Sequence, residues 1–338
     1  MKSYHLTGTG TGAAGLTLRE HEVPEPGPGQ VLVRMRANAV SFRDGLILAD
    51  DYPLPVVPGV VAGCEGAGEV VGVGPAVATF GVGDRVALTV FPDWLDGPFG
   101  LDRAAQLGSS LDGALTEYRV VAERALVRIP GHLSYEEAAA LPLTALTAWN
   151  ALTGGRPLLP GETVLTPGTG AVGLAAVQLA LLAGARVIAT TSGGLKAVRL
   201  KELGVHEVID RTAEPDWHER VRELTGGRGA DQVVHVAGPL EQSLRAAGIG
   251  AELAYVGFRV ADAPTAPPVD ARLLFASGVQ VRSVAVGSRA QFTALNRALE
   301  VHGVRPVLDR VFPFAEVPAA FRYHREGGAF GRVVISHG

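Results

Sequence analysis

Two rhythms of apolar and polar residues divide the chain. Through residues 1–127 they describe short strands and turns. Residues 31–37 (VLVRMRA) alternate apolar and polar, as a half-buried strand does, and follow the Pro/Gly cluster 24–29. Residues 70–73, 85–90 and 116–121 are further strand candidates between glycine-rich turns. A longer period begins at Ser134, which with Glu137 forms a capping-box signature. The helical pattern it opens runs to residue 151, and Pro142 breaks or kinks it into two pieces. Strand and helix then alternate: strand 163–166, helix 171–183, strand 186–190, helix 195–203, strand 207–209 and helix 215–224. Strand 231–236, helix 239–247, strand 252–256 and strand 279–284 follow. Six strands in βαβ order predict a doubly wound parallel sheet. The tail 288–338 holds a helix at 290–301 and a strand at 331–336, and 261–268 is a Pro/Ala loop.

The first strand–helix junction of that series carries the chemistry. Gly168, Gly170 and Gly173 make G-x-G-x-x-G between the apolar strand and a helix that stops near Gly184. Such a turn lets a pyrophosphate approach the backbone and rest on the free N–H groups of the helix start. With strand, helix and return strand in order, the motif reads as a dinucleotide site rather than an ordinary tight turn. About 20 residues past the first glycine, an acidic side chain accepts from the ribose of NAD. Here that window holds Thr190, Thr191 and Ser192, with Lys196 following and no carboxylate to repel a 2′-phosphate. Arg211, beyond the run 207–209, is a second cation. Either cation alone fits a solvated surface equally well; together they favour NADPH. The other glycine clusters, 8–15 and 63–74, lie between strand candidates and read as a hairpin loop and as bulges or corners.

Bulk properties narrow the field. At 338 residues the chain can bury two cores, and 47% hydrophobic with 19% charged residues is a globular composition. A net charge of −4 gives no electrostatic case for nucleic acid or an anionic membrane. The single cysteine, Cys64, excludes an internal disulfide and a multi-cysteine zinc site. No apolar run is long enough to span a bilayer, and MKSYHLTGTG holds no apolar signal core, so a soluble cytoplasmic protein is expected.

Several blocks in order resemble the medium-chain dehydrogenase/reductase superfamily, specifically its zinc-free, quinone-oxidoreductase-like branch. They are VLVRMRANAVSFRDGL (31–46), GCEGAGEVVGVG (63–74), LPLTALTAW (141–149), TPGTGAVGLAAVQLA (166–180), DWHERVRELTGGRGADQVVHVAGP (216–239) and FGRVVI (330–335). The resemblance implies an α/β architecture with a GroES-like β-rich catalytic domain, 1–127 and 288–338, and a six-stranded Rossmann cofactor domain, 128–287. It places the active site in the cleft between them. Metal-dependent members hold zinc with Cys, His and Cys, and by motif position these fall on Ser41, Cys64 and Leu143. Such a set cannot hold the ion, region 91–113 lacks the cysteines of a structural zinc loop, and no zinc is expected. Asp44 and Glu65 remain as structural hydrogen-bond acceptors.

The same resemblance sets Thr147 by the nicotinamide ribose or carboxamide and Ala171 and Val172 at the pyrophosphate. It brings Val236, Ala237 and Gly238 to the ribose, and Gly257, Phe258, Ser288 and Arg289 to the nicotinamide, with Phe330, Gly331 and Arg332 completing that side. Two departures stand out: Gly193-Gly194, where bulkier polar residues are common, and Arg211, where a tyrosine is frequent.

Without a Lewis acid, an activated C=C bond or a quinone is an easier hydride acceptor than a bare carbonyl, because its charge is delocalised. One hydrogen-bond donor then suffices. Ser41, Tyr52 and Trp94 are the candidates, against the plain alternatives of a turn hydroxyl and two packing residues; Phe42, Leu46 and Phe91 are candidate apolar walls. The reading is an NADPH-dependent, zinc-independent reductase of quinones, enones or enals. Its rivals are an alcohol or aldehyde dehydrogenase of the same superfamily and a non-catalytic NADPH-binding sensor or structural protein. A homodimer paired through edge strands near 280–286 is implied by the resemblance, and the apolar run there needs a cover.

Overall fold

The computed structural model describes residues 1–257 and 269–338, which form two compact units. Met1–Leu146 with Val286–Gly338 make the first, and Thr147–Ala285 the second. The loop expected at 261–268 lies outside the described residues. Among the described residues no helix is long and apolar enough to cross a membrane.

The first unit is built on one seven-stranded sheet. Its path runs Leu308–Pro313, Arg332–Ser336, Gln30–Ala39, Gly66–Val73, Arg85–Leu88 and Leu126–Arg128, and Tyr118–Ala122 pairs with Gln30–Ala39 off that path. The alternation in 31–37 has its expected consequence. Val31, Val33 and Met35 are buried together with Val70, Val86, Leu88 and Leu126 from the neighbouring strands. The glycines of 63–74 are structural. Strand Gly66–Val73 carries two register shifts against Gln30–Ala39, and a Cβ on Gly68 would collide with the Arg34 carbonyl. The cluster 8–15 joins the antiparallel strands Lys2–Leu6 and Leu16–Glu20, as a hairpin loop should.

Pro142 lies in a π turn, Leu141–Ala145, between helices Tyr135–Ala139 and Leu146–Thr153. The wider turn accommodates a residue with no N–H to donate. The Ser134–Glu137 capping box is formed in both directions. Three short helices, Phe42–Leu48, Ala271–Ser277 and Val317–Glu326, have no counterpart in the periodicity reading. At 7 to 10 residues each they complete too few turns for a period to stand out.

The second unit is a six-stranded sheet, parallel throughout. Its order is Glu207–Asp210, Arg186–Thr191, Thr163–Pro167, Ala230–His235, Ala247–Tyr255 and Gln280–Ser283. Val164, Leu165, Val187, Ile188, Val233, Val234 and Leu253 are fully buried. Unbroken apolar runs, rather than alternation, mark strands covered on both faces. At the edge, Glu252 accepts from Arg282 Nε at 2.7 Å and from the Arg156 backbone N–H at 2.6 Å, so the buried carboxylate is not left alone.

His235 is buried near the end of its strand, stacked on Tyr255 with ring centroids 5.4 Å apart and 2.9 Å from Ser243 Oγ. Burial pushes its imidazole down from 6.5 to about 4. A histidine with a lowered folded-state value contributes stability above about pH 6.5 and loses it as pH falls toward 4. Between pH 7 and 5 this one group should cost about 2 kcal/mol of unfolding free energy. Urea midpoints at the two pH values check it: His235→Gln should flatten the fall, and an unchanged slope would refute the assignment.

Candidate functional site: the glycine turn and a buried polar cluster

The second unit gathers most of the expected cofactor residues at the carboxyl ends of its strands. Strand Thr163–Pro167 ends at Gly168, which has φ +93°. Gly170 is the N-cap of helix Ala171–Leu182 and offers no side-chain cap to its first turn. The early N–H groups, those of Ala171 and Val172 among them, therefore have no capping side chain. A Cβ on Gly168 or Gly170 would meet nothing within 4 Å, whereas one on Gly173 would lie 2.6 Å from the Gly168 carbonyl oxygen. The first two glycines keep the space over the turn open, and the third lets helix and turn close on each other.

Neighbouring strands complete the edge. Gly168 N–H donates to the Thr190 carbonyl at 3.1 Å, and Arg211 N–H donates to the Thr191 carbonyl at 2.9 Å. Thr190 and Thr191 are buried; Ser192 and Arg211 are exposed, and Lys196 is half-buried in the first turn of helix Leu195–Glu202. Thr166 Oγ1 and Thr191 Oγ1 are buried without a hydrogen-bond partner. Orphaned hydroxyls beside an open glycine turn fit a polar ligand such as a dinucleotide. Val236, Ala237 and Gly238 follow strand Ala230–His235, and Gly257 follows Ala247–Tyr255. A side chain on Gly257 would collide with the Val236 carbonyl. Thr147 is buried in helix Leu146–Thr153, and Phe258 lies outside the described residues. Sequence reading overlooked Thr166 and also Asp210, which is paired in register with Thr191. Nothing local announces either, because strand register brings them to this edge.

In the first unit a buried polar cluster occupies the positions read as metal ligands in related enzymes. Ser41 caps helix Phe42–Leu48: its Oγ accepts from the Asp44 N–H at 3.1 Å and donates to Asp44 Oδ2 at 2.8 Å. Cys64 Sγ lies 3.5 Å from Ser41 Oγ. Burial first, then the Asp44 carboxylate, holds the Cys64 thiol far above its ordinary range. Leu143 contributes a hydrocarbon side chain, and its backbone N–H donates to Glu65 Oε2 at 2.9 Å. Among the described residues no group of three His, Cys, Asp or Glu is placed to hold an ion. A hydroxyl, a single cysteine and an isobutyl group do not supply the three ligands a catalytic zinc takes.

Glu65 is fully buried, and burial raises it to about 7 against the opposing pull of the Arg332 guanidinium. Arg332, expected at the cofactor, forms a buried ion pair with Glu65. Phe330 is buried, and its N–H donates to Asp309 Oδ1 at 2.9 Å. Ser288 caps helix Arg289–His302 in a capping box with Gln291, and Arg289 Nε donates to the Leu126 carbonyl at 3.0 Å.

The three donor candidates differ in access. Ser41 and Trp94 are buried, and Trp94 Nε1 donates to the Gly97 carbonyl at 2.9 Å within an edge-to-face trio with Phe91 and Phe99. Tyr52 is half-buried; its hydroxyl donates to Gln106 Oε1 at 3.0 Å and accepts from Arg43 Nε at 3.2 Å. Arg43, which the sequence did not single out, is buried with its guanidinium 5.2 Å above the Tyr52 ring. Of the apolar wall candidates, Phe42 is exposed, while Leu46 and Phe91 are buried.

Comparison with known proteins adds an independent line. Residues 171–300 match the family described as zinc-binding dehydrogenase, and residues 27–131 match the alcohol dehydrogenase GroES-like domain. The chain is 36% identical over 313 residues to a zinc-type alcohol dehydrogenase-like protein of Schizosaccharomyces pombe, covering 90% of each. It is 34% identical over 321 residues to a 2-methylene-furan-3-one reductase of Solanum lycopersicum, covering 90% of this chain and 71% of that one. A crystal structure of an NAD-dependent alcohol dehydrogenase superposes with a TM-score of 0.88 at 34% identity, covering 100% of both chains.

The glycine geometry yields a paired prediction. Gly170→Val points into open space and should cost less than about 1 kcal/mol of stability, yet weaken dinucleotide binding by at least about tenfold by obstructing the phosphates. Gly173→Val must push the helix off the turn and should lower the melting temperature by several degrees, about 2 °C or more per kcal/mol. Calorimetric binding and thermal melts of both variants separate the two effects. Normal binding by Gly170→Val would refute the ligand role of the turn.

Proposed function

This chain belongs to the medium-chain dehydrogenase/reductase superfamily of oxidoreductases, and we propose that within it the protein is a zinc-independent, NADPH-dependent reductase of quinones or activated C=C bonds. The donor set at Ser41, Cys64 and Leu143 is the observation that carries this reading. With no ligand set for a Lewis acid among the described residues, negative charge on a bare carbonyl oxygen would have to be met by hydrogen-bond donors. A conjugated acceptor spreads that charge and needs one donor. The similarity to a 2-methylene-furan-3-one reductase supports this choice.

When bound, the nicotinamide supplies the hydride. The protein's part is to bind and orient. Open space over Gly168 and Gly170 admits the pyrophosphate to the helix start, and Ser192, Lys196 and Arg211 supply the hydroxyl and charges for a 2′-phosphate. Thr147, Val236, Ala237, Gly238, Gly257, Phe258, Ser288, Arg289, Phe330 and Arg332 are proposed along the rest of the cofactor. Among Ser41, Tyr52 and Trp94, Tyr52 is favoured as the donor to the substrate oxygen. It is the half-buried member of the three, and Arg43 Nε and Gln106 Oε1 hold its hydroxyl in place.

A second reading, an alcohol dehydrogenase, is favoured by the names of two relatives. Metal analysis and turnover decide between them. The expected outcome is NADPH consumption with quinones or enones, no stoichiometric zinc and no loss of activity with chelator; bound zinc and chelator-sensitive alcohol oxidation would overturn the proposal. Absence of turnover across the panel, with NADPH bound, would favour the non-catalytic reading. Tyr52→Phe should lower kcat by at least about tenfold while leaving the dissociation constant for NADPH unchanged.

A homodimer is also proposed. Strand Gln280–Ser283 is the last in the sheet order, Val281 on it is 41% exposed, and Phe275 in the preceding helix is 90% exposed. An apolar sheet edge of this kind is covered by pairing with another copy. Light scattering should give twice the mass of the 35.1 kDa chain; a monomer at micromolar concentration would exclude it.

A further inference from the structure

A carboxylate reaches the second strand from its neighbour. Asp210 ends strand Glu207–Asp210 and is paired in parallel register with Thr191, the last residue of Arg186–Thr191. Its Oδ1 accepts from the Thr212 N–H at 2.9 Å and from the Thr212 hydroxyl at 2.7 Å, which fixes the side chain. Its Oδ2 lies against Gly193, so close that a Cβ built there would overlap it. Gly193 also has φ +82°, a backbone conformation that favours glycine. With no side chain at 193, this carboxylate lies against the turn 192–194. Ser192 opens that turn, and Lys196 follows it in the next helix.

We propose that Asp210 is a specificity-determining residue at the adenosine end of the dinucleotide. It accepts from the ribose hydroxyls of the unphosphorylated cofactor and opposes the 2′-phosphate, against the attraction of Lys196 and Arg211. The protein therefore uses NADH beside NADPH, with a smaller preference than its cations alone would give. This rests on the dinucleotide reading above and refines it. Two negative groups at this edge repel, and a carboxylate can satisfy hydroxyl donors that a phosphate lacks. The Thr212 hydroxyl and N–H hold the carboxyl below its ordinary range, so it is charged at neutral pH. Solvent at this half-buried position screens the repulsion, so its effect is a bias rather than an exclusion.

Asp210→Asn keeps the shape and the acceptor for Thr212 while removing the charge; Asp210→Ser is the second variant should the first not fold. Calorimetry would compare adenosine 2′,5′-bisphosphate with adenosine 5′-monophosphate, and NADPH with NADH, on wild type and variant. The expected result is a rise of about two- to fivefold in the preference for the 2′-phosphorylated partner of each pair. An unchanged ratio with binding intact would overturn this assignment alone. Failure of the wild type to bind any of the four would overturn it together with the dinucleotide reading.

Discussion

The close approach of Gly173 to the Gly168 carbonyl is the contact on which the second unit's chemistry depends. A Cβ at 173 would sit 2.6 Å from that oxygen, so only glycine lets the helix start lie directly over the strand end. That placement presents the early helix N–H groups, uncapped by any side chain, to the open space above Gly168 and Gly170. The parallel sheet beneath supplies the rigidity. Strands with Val164, Leu165, Val187, Ile188, Val233 and Val234 fully buried cannot slide without exposing apolar surface. Their carboxyl ends therefore hold Thr190, Thr191, Asp210 and Val236 at one edge.

The first unit answers a different constraint, the cost of burying ionisable groups. Asp44, Cys64, Glu65 and Arg332 are all nearly or fully buried. Arg332 and the Leu143 N–H serve Glu65, and the Ser41 hydroxyl serves Asp44 Oδ2, while Asp44 Oδ1 and Arg332 Nε are buried without a hydrogen-bond partner. Burial and the Asp44 carboxylate push the Cys64 thiol up, which favours its neutral form. The Asp44 and Glu65 carboxylates are thus engaged within the chain itself, by the Ser41 hydroxyl, the Leu143 N–H and Arg332.

Function in such a molecule is divided between features that are open and features that are satisfied. The glycine turn, the orphaned Thr166 and Thr191 hydroxyls and the exposed cation Arg211 have capacity left for a ligand. Trp94, by contrast, has its donor engaged with Gly97, and Arg332 has its charge engaged with Glu65. Tyr52 lies between these cases, held by Arg43 and Gln106 yet partly accessible.

By itself the sequence determined the alternation of strands and helices from 163 to 256, the parallel six-stranded sheet, the glycine turn and the helix cap at Ser134. These are local: a capping box, a glycine spacing and an apolar run act over a few residues, and the chain writes them in order. The tertiary structure decided what adjacent strands bring together. Asp210 stands 42 residues from Gly168 in the numbering, yet register sets it opposite Thr191 and against Gly193. Arg332 meets Glu65 across 267 residues, and Arg43 turns onto Tyr52. Register and side-chain direction follow from how whole sheets pack their buried faces, so no window of sequence, however regular, contains them.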